Sequence, residues 1–483
     1  MLNVKYETVI GLEVHAQLKT KTKIFCSCST EFGRRANENT CPICLGMPGV
    51  LPVLNKQAVE FAMRACLATH CQINPCNQFD RKNFFYPDMP KGYQISQFAH
   101  PIGENGHVNI EINGEKKRVR IMRIHMEEDA GKLIHGENLG IPGKSYVDFN
   151  RTGTPLIEIV TQPDLRSPEE AREYLTQLKA ILEYTAVSDC NMEEGSLRCD
   201  ANISLRPAGQ KKLGTRTELK NLNSFRFVQK AIEYEVDRQS RILDQGDSVI
   251  QETRLYDSDK GVTLSMRSKE EAHDYRYFPE PDLPPLRISQ EEVDGIRAGM
   301  PELPGQLRER FESEFGLSSY DADVLSQTLD LAGWYESLVA AHPSDPKRCA
   351  NWMANELLGR LKEQGKDIAD SPVSAQDLAG LLDRIADNTI SGKIAKDVLD
   401  AMMATGESAD AVIESKGLKQ VSDSGAIDTL ILQIMADNPG QLEQFRAGKD
   451  KLFGFFVGQV MKASKGQANP GMVNQRLQDL LKG

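Results

Sequence analysis

The spacing of apolar residues changes character once along this chain, at the proline-rich stretch from Pro279 to Pro285. Before this stretch, short extended segments are separated by frequent glycine and Asn-Gly turns, and two longer helical segments interrupt them. After it, apolar residues recur at helical spacing almost to the end of the sequence. Strands and helices in this order predict an α+β protein, in which a part containing a sheet is followed by helical parts.

Local signals predict the main elements of the first part. The segment 107–124 alternates apolar and polar residues around Asn113-Gly114, which predicts a β-hairpin with a two-residue turn. A helix over 167–186 is predicted from a capping box of Ser167 and Glu170, followed by an apolar stripe. A second strand pair and a second helix are predicted over 204–220 and 224–245.

Helices are expected to make up the second part. Ser289 and Glu292 form another capping box, and helical periodicity continues from there. A break rich in glycine, serine and aspartate at 404–410 separates a helical bundle from a last helical unit. Bundle helices are predicted at 319–341, 347–363, 374–386 and 391–403. We therefore expect three domains, at 1–295, 296–408 and 409–483.

The composition limits the classes of protein that fit this sequence. No apolar run reaches the roughly 18 residues needed to span a bilayer, and no basic segment followed by an apolar one marks an export signal. Ten cysteines without such a signal predict a reducing, cytoplasmic location and no membrane partner. The net charge of −11 argues only weakly against nucleic acid, because an acidic protein can still carry a local basic surface.

Four of the cysteines are close together in the sequence. Cys26 and Cys28 form one pair, and Cys41 and Cys44 form a second pair. Two such pairs predict a structural Zn²⁺ site, since four thiolates complete a tetrahedral coordination shell. The alternative is that all four are reduced cysteines of an ordinary loop.

Acidic residues and histidines cluster at further places, which suits Mg²⁺ because this ion prefers carboxylates, water and phosphate oxygens. Glu13 and His15 lie two apart in an apolar strand, so their side chains point to the same face. The segment 125–129 reads His-Met-Glu-Glu-Asp, a third acidic cluster covers 191–202, and Glu218 follows. Any one of these clusters, taken alone, is better explained as a solvated acidic turn.

Basic residues lie near the third acidic cluster. Arg198 and Lys220 could face the oxygens of a phosphate group that is being transferred. Together with Asp200 and Asn202 they are the residues that we predict to bind a nucleotide cofactor.

Several long segments of the chain resemble the B subunits of the tRNA-dependent amidotransferases, and they are spread over nearly its whole length. They are YETVIGLEVHAQLKTKTKIF (6–25), FDRKNFFYPDMPKGYQISQ (79–97), RIHMEEDAGK (123–132), DFNRTGTPLIEIVTQP (148–163), MEEGSLRCDANISLR (192–206), DYRYFPEPDLPPL (274–286) and GKDKLFGFFVGQVMKASKGQANP (448–470). The resemblance implies a cradle domain around an antiparallel sheet over 1–295, with a zinc-binding insertion. An all-helical domain and a helical tail domain would follow it.

The resemblance also implies an activity. Members of this family use ATP and Mg²⁺ to phosphorylate the side-chain carboxylate of Glu on tRNA(Gln) or Asp on tRNA(Asn), and ammonia then displaces the phosphate. The family's Mg²⁺ site corresponds to Glu13, His15, Glu128 and Glu218. Lys82 matches a residue near the mouth of the family's ammonia channel, and the tyrosine expected two residues later is Phe84 in this sequence.

The partners that the resemblance implies are a glutaminase subunit, a small third subunit of the same complex, and misacylated tRNA. The sequence agrees with an external source of ammonia, because no nucleophilic Cys or Ser with a base can be recognised in it. The stretch from Arg446 to the end carries seven basic residues against two aspartates, and we expect this tail to contact tRNA.

Two other functions stay open. One is a stand-alone ATP-dependent ligase that amidates a small carboxylate with free ammonium. The other is a zinc-stabilised RNA-binding scaffold without catalysis. The clustered carboxylates argue against the scaffold, because they would repel RNA unless a metal ion occupied them.

Overall fold

The computed structural model describes residues 5–136, 141–268, 275–419, 424–464 and 468–481. Asp274 and the tail residues Lys465, Gly466 and Lys482 lie outside the described residues. The chain divides into two compact units, Met1–Leu303 and Pro304–Gly483. The first combines a sheet with helices and the second is helical, so the predicted α+β fold is confirmed. The finer division at residues 295 and 408 stays a prediction.

The first unit contains strands and helices that we number in chain order. Its strands are β1 (Tyr6–Gln17), β2 (Gln72–Ile73), β3 (Cys76–Asn77), β4 (Asp80–Asn83), β5 (Tyr93–Ser96), β6 (Gly103–Ile112), β7 (Glu115–Glu128), β8 (Lys132–His135), β9 (Ser145–Asp148), β10 (Pro155–Thr161), β11 (Leu197–Pro207), β12 (Thr217–Lys220), β13 (Glu252–Asp257), β14 (Val262–Ser268), β15 (Phe278–Pro279) and β16 (Leu286–Arg287). Its helices are α1 (Lys56–Ala68), α2 (Pro168–Tyr184), α3 (Phe225–Asp244) and α4 (Gln290–Ala298).

A large sheet organises this unit. Its strand order is β14-β13-β12-β11-β1-β10-β7-β5-β4-β15, with β6 also paired to β7 and β2 paired to β6. The described pairings in this sheet are antiparallel, apart from the parallel pair β12 and β13. Helices α1, α2 and α3 contact it through β6, β7 and β11.

The central strand β1 shows how the sheet separates an apolar core from a polar face. Ile10, Leu12 and Val14 are buried in the apolar core that includes residues of α1, α2 and α3. Glu13 and His15 alternate with them and therefore point away from that core. One face of the sheet is thus free to carry polar side chains.

The predicted hairpin at 107–124 is confirmed as the pair β6 and β7. Asn113 and Gly114 connect the strands with φ angles of 53° and 82°. Both angles lie in the left-handed region that a two-residue turn of this kind requires and that asparagine and glycine tolerate best. The turn sets the register of β6 against β7, from Ile112 opposite Glu115 onwards.

The two predicted capping boxes have different outcomes. At α4 the box is complete, since Ser289 accepts the Glu292 N–H at 3.2 Å and Glu292 accepts the Ser289 N–H at 2.8 Å. At α2, Ser167 accepts the Glu170 N–H at 3.2 Å, but the Glu170 carboxylate accepts the Arg166 N–H at 2.6 Å instead. The second half of that box is therefore absent, although the helix begins where it was predicted.

The second unit consists of helices. They are α5 (Pro304–Glu314), α6 (Ser319–Leu325), α7 (Leu329–Ala341), α8 (Pro346–Asn351), α9 (Leu358–Glu363), α10 (Ala375–Ala386), α11 (Gly392–Thr405), α12 (Ala409–Ser415), α13 (Ser424–Asp437), α14 (Pro439–Arg446), α15 (Leu452–Ala463) and α16 (Pro470–Leu481). None of the described helices is long and apolar enough to cross a membrane.

Two predicted helices of this unit are interrupted. The one at 319–341 is divided into α6 and α7, because Thr328 starts a new helix by accepting the Leu331 N–H at 3.2 Å. The one at 347–363 contains a π-helical turn, Trp352–Leu357, between α8 and α9. The predicted break near 404–410 is present, and Gly406 ends α11 in the left-handed conformation that favours glycine.

Candidate active site

A cavity of about 1000 Å³ lies on the polar face of the sheet. Five neighbouring strands, β12, β11, β1, β10 and β7, contribute side chains to its wall. Most of these side chains alternate with residues of the apolar core, as Glu158 does with Ile157 and Ile159. The cavity therefore follows directly from the alternation of side chains along paired strands.

Three potential metal ligands converge on this face. One nitrogen of His15 and one carboxylate oxygen each of Glu127 and Glu158 all lie within 4.8 Å of one another. His15 Nε2 is 3.3 Å from Glu158 and 3.6 Å from Glu127. Strand register explains the arrangement, because Glu158 is opposite His15 on one side and opposite His125 on the other.

The charges of this cluster compensate one another. Burial alone would lower the pKa of His15, but the negative charges of Glu158 and Glu127 raise it to about 9. The pKa of buried His125 is raised in the same way, since its Nε2 is 3.3 Å from Glu158. Contact with the two imidazoles in turn lowers the pKa of Glu127 and Glu158, against the effect of burial. The two histidines and the two glutamates therefore stabilise each other's charged forms.

A second polar cluster occupies another part of the same cavity. Lys220 Nζ donates to Asp200 at 2.5 Å and lies 3.6 Å from Glu218. Burial alone would lower the pKa of Lys220, but Asp200 and Glu218 raise it. Asn202 donates to the Glu13 carboxylate at 2.9 Å. This cluster holds a half-buried ammonium group on the polar face of the sheet.

Lys82 reaches the cavity from β4. Its Nζ lies 4.8 Å from the centre of the Tyr275 ring and 5.9 Å from that of Phe84. Phe84, which replaces an expected tyrosine, contacts Tyr86 and Tyr275 edge to face. Lys82 therefore brings a second ammonium group to the cavity, beside aromatic rings.

The four predicted zinc ligands also converge, at a separate place. The sulfur atoms of Cys26, Cys28, Cys41 and Cys44 lie within 4.8 Å of one another, so this cluster could hold a metal ion. The hydrogen bond from the Cys26 thiol is the largest of the effects that lower the pKa of Cys44 to about 4. The ammonium group of Lys23, 3.6 Å from Cys44 Sγ, acts in the same direction.

Comparison with known proteins identifies the family. Residues 8–294 match the model of the GatB/GatE catalytic domain, and residues 334–481 match that of the GatB domain. The B subunits of aspartyl/glutamyl-tRNA(Asn/Gln) amidotransferase are 58% identical to this chain in Geobacter sulfurreducens and 55% identical in Carboxydothermus hydrogenoformans. Each alignment covers 99% of this chain and at least 99% of the relative. The chain belongs to the GatB family.

One residue of the GatB-type Mg²⁺ site expected from the sequence lies elsewhere. Glu13, His15 and Glu218 line the large cavity, whereas Glu128 lines a smaller one of about 100 Å³ beside Cys26 and Cys44. The Glu128 carboxylate forms an ion pair with Lys91 and accepts the Ile95 N–H at 2.8 Å. Successive residues of β7 point to opposite faces, so Glu127 takes the position next to His15.

The predicted nucleotide-binding residues of this GatB-family chain are also divided between two cavities. Asp200, Asn202 and Lys220 line the large cavity. Arg198 lines a different cavity of about 770 Å³, and its guanidinium donates to Asp129 at 2.8 Å. Asp200 contributes to the walls of both cavities. Arg198 is therefore already paired with a carboxylate inside the protein.

Two glutamates of the cluster were missed from the sequence, since Glu158 was not singled out and Glu127 was not separated from Glu128. Glu158 is the one charged residue of the apolar strand β10, and this isolated charge was the signal that could have identified it. Glu127 is two residues from His125, so strand alternation could have placed both on one face. Which face meets Glu13 and His15 depends on strand pairing, which these local patterns do not contain.

Proposed function

We propose that this chain activates the side-chain carboxylate of Glu on tRNA(Gln) or Asp on tRNA(Asn) with ATP, and then amidates it with ammonia. The observation that carries the proposal is a single large cavity lined by His15, Glu158, Lys82 and Lys220. A carboxylate oxygen of buried Glu127 lies within 4.8 Å of the ligand atoms of His15 and Glu158. The names of the close relatives, which are amidotransferase subunits for aspartyl- and glutamyl-tRNA, support it.

The donor atoms of the cavity fit Mg²⁺. Two carboxylates and one imidazole within 4.8 Å would leave positions for water and phosphate oxygens, which this ion usually retains. We assign Glu127 and Glu158 as carboxylate ligands together with His15, and Glu13 and Glu218 as nearby carboxylates. A bound Mg²⁺ supplies positive charge against the oxygens of ATP. The four-cysteine cluster fits Zn²⁺, because soft thiolates in a closed set of four are its usual structural ligands.

The proposed reaction has two steps. An oxygen of the substrate carboxylate attacks the γ-phosphorus of ATP, the bond to the β-phosphate oxygen breaks, and ADP leaves. Ammonia then attacks the carbonyl carbon of the acyl phosphate and the bond from that carbon to the phosphate oxygen breaks. Inorganic phosphate leaves with the bonding electrons and takes up the proton that the new amide nitrogen releases. Lys220 and Lys82 carry positive charge on the wall of the cavity, where they would stabilise the developing negative charge.

The relatives are named as B subunits, which implies that they work in a complex with other subunits. We propose that this chain has two protein partners, a glutaminase that releases ammonia and a small third subunit. We also propose a cytoplasmic location, where misacylated tRNA would be available.

The direct test is co-expression with the glutaminase and the small third subunit, followed by purification and assay of the complex. We expect glutamine- and ATP-dependent conversion of Glu-tRNA(Gln) or Asp-tRNA(Asn), measured by hydrolysing the tRNA and identifying the released amino acid. Free glutamate and free aspartate with ammonium are the comparison substrates. Amidation of the free amino acids but of neither aminoacyl-tRNA would instead establish the stand-alone ligase, and no ATP turnover with any substrate would favour the scaffold.

The tail offers a separate prediction about tRNA. Helices α13 to α16 have an apolar core of their own, which includes Ile431, Phe456 and Leu477. Arg476 is engaged with Asp428 at 2.7 Å, whereas several other basic residues of the tail are exposed to solvent. These exposed residues are Arg446, Lys449, Lys451 and Lys462. The tail therefore presents exposed positive charge on a group of helices that has its own apolar core.

Deleting residues 420–483 is expected to weaken tRNA binding and to raise the KM for misacylated tRNA, while the complex still assembles. This boundary keeps α12, whose Val412 and Ile413 are buried. The triple variant Lys449→Ala, Lys451→Ala, Lys462→Ala should also make binding less dependent on salt, because each lost phosphate contact lowers that dependence. The matched control removes three exposed lysines outside the tail, Lys362, Lys366 and Lys393.

The measurement is tRNA affinity at two salt concentrations for the wild type, the truncation and both triple variants. Equal affinities for the wild type and the truncation would show that the tail does not bind tRNA. An equal loss of tRNA affinity in the two triple variants would show that binding depends only on the total charge of the protein and not on the position of the tail lysines.

A further inference from the structure

Aromatic side chains form part of the wall of the large cavity. Phe98 follows β5, and Tyr275 and Tyr277 precede β15. The rings of Phe98 and Tyr277 are stacked, with centres 4.2 Å apart and planes inclined by 10°. Tyr275 meets Tyr277 edge to face at 6.1 Å. Phe98 keeps 38% of its surface exposed, so this stack is accessible from the cavity.

Two cationic side chains accompany these rings. Arg123, on β7, donates from Nη1 to the Phe98 carbonyl at 3.3 Å, and its guanidinium carbon is 6.0 Å from the centre of the Phe98 ring. The Arg123 Nε atom is buried and has no hydrogen-bond partner among the described residues. Lys82 lies over Tyr275. Flat rings beside guanidinium and ammonium groups are the features with which proteins bind the bases and phosphates of nucleic acids.

The stack lies close to the cluster of His15, Glu127 and Glu158. The pKa of Tyr277 is raised, mainly by burial and then by the negative charges of Glu127 and Glu158. The Tyr277 ring is therefore within electrostatic reach of both carboxylates and also in contact with Phe98. A base held on this stack would sit on the same wall as the groups that we assign to the reaction.

We propose that the Phe98–Tyr277 stack and Arg123 form a binding platform for the adenine of an adenosine group. This inference rests on the proposed function, because both of its substrates carry adenosine: ATP itself, and the 3′-terminal nucleotide of the tRNA to which the amino acid is attached. Stacking needs accessible aromatic surface, which Phe98 supplies beside its partner ring Tyr277, and the adenosine phosphates need cations, which Arg123 and Lys82 supply.

The test uses the complete complex. Its substitutions distinguish the effect of the aromatic ring from the effect of an apolar side chain of similar size. Phe98→Leu removes the aromatic face but keeps an apolar side chain, whereas Phe98→Tyr keeps the ring. Phe85→Leu is the matched control, since Phe85 is 91% exposed and lies outside the cavity wall. Two fluorescent probes distinguish the sources of adenosine: 2-aminopurine riboside triphosphate, and tRNA carrying 2-aminopurine in place of its 3′-terminal adenine.

We expect one probe to be quenched on binding to the wild type, as stacked 2-aminopurine is, and to lose this quenching in Phe98→Leu. The KM for the corresponding substrate should rise about tenfold or more, which is the size of one lost base–aromatic stack. The KM of the other substrate, and both values in Phe98→Tyr and Phe85→Leu, should change less than twofold.

Several results would reject the proposed binding platform and leave the proposed function unaffected. They are unquenched probes, unchanged KM values in Phe98→Leu, or an equal rise in both KM values, which would indicate general damage. All of these presuppose a wild-type complex that amidates aminoacyl-tRNA. If the wild type amidates no aminoacyl-tRNA, the proposed function fails, and the platform is then rejected if neither probe is quenched.

Discussion

Replacing Glu127 with glutamine is expected to lower the rate of ATP-dependent amidation by about 100-fold or more, the usual effect of losing one electrostatic contact at a reacting charge. Glutamine keeps the shape of the side chain but removes one of the two carboxylate charges that converge with His15. The folded structure should tolerate the change, because His15 and His125 can lose protons when their carboxylate partner is gone.

Glu128→Gln is the informative comparison, since the two residues are neighbours on β7 but face different cavities. Glu128 and Lys91 are a buried ion pair, and removing one member leaves the other charge uncompensated. This variant should lower the free energy of unfolding by about 3 kcal/mol or more. Its rate of amidation should fall much less than that of Glu127→Gln, provided the rate is measured well below the unfolding temperature.

The measurements are single-turnover amidation at several Mg²⁺ concentrations and thermal unfolding of each variant. Glu115→Gln, at the exposed start of β7, is the control for a glutamate lost from the same strand. If Glu127→Gln and Glu115→Gln reacted at the same rate, Glu127 would not be a ligand. The family resemblance implies that Glu128 is a Mg²⁺ ligand. This assignment would be supported if Glu128→Gln were the only variant that needed more Mg²⁺ for amidation and if it unfolded like the wild type.

Elements determined by neighbouring residues could be predicted from the sequence. The β6–β7 hairpin depends on Asn113-Gly114, and the start of α4 depends on Ser289 and Glu292, which are all local signals. Helix interruptions were harder to foresee. The separation of α6 from α7 at Thr328 occurs within continuous apolar periodicity, and the π-helical turn at Trp352–Leu357 has no such local signal.

The candidate site was predictable only in its components. His15, Glu158 and His125 form a row across three strands, and the row exists because β10 pairs with both β1 and β7. The pairing of β10 with β1 joins residues more than a hundred positions apart along the chain, so the row depends on the packing of the whole sheet. The sequence alone identifies Glu13 and His15 as a pair on one face, but it does not tell which glutamates lie beside His15.

Removing the metal ion that we propose for the four-cysteine cluster is expected to have the largest effect on stability. Structural zinc contributes about 10 kcal/mol or more of apparent binding free energy. The segment from Thr20 to Leu54 contains little regular structure besides an isolated bridge between Thr22 and Ser29. Apart from the proposed metal ion, this segment is held mainly by loop hydrogen bonds, such as the one from the Ile24 N–H to the Gly153 carbonyl at 2.9 Å.

Lys23 makes the stability of this segment depend more strongly on the four-cysteine cluster. This lysine is buried, and its ammonium group donates to the carbonyls of Asn39 at 2.6 Å and Phe149 at 3.3 Å, close to Cys44 Sγ. Four thiolates around Zn²⁺ carry a net charge of about −2, which the positive charge of Lys23 partly balances. In Cys44→Ala the buried ammonium would lose the nearest thiolate as its counter-charge, at a cost of several kcal/mol.

We therefore expect Cys44→Ala to lose one equivalent of zinc, to unfold at a much lower temperature and to become susceptible to proteolysis between residues 20 and 54. Cys76→Ala, which removes an exposed cysteine outside the cluster, should retain zinc and unfold like the wild type. Zinc is measured by elemental analysis of protein purified without added metal, and the free thiols by titration before and after chelation. Metal-free wild-type protein with all four thiols reactive, and equal unfolding temperatures for the two variants, would exclude a structural zinc site here.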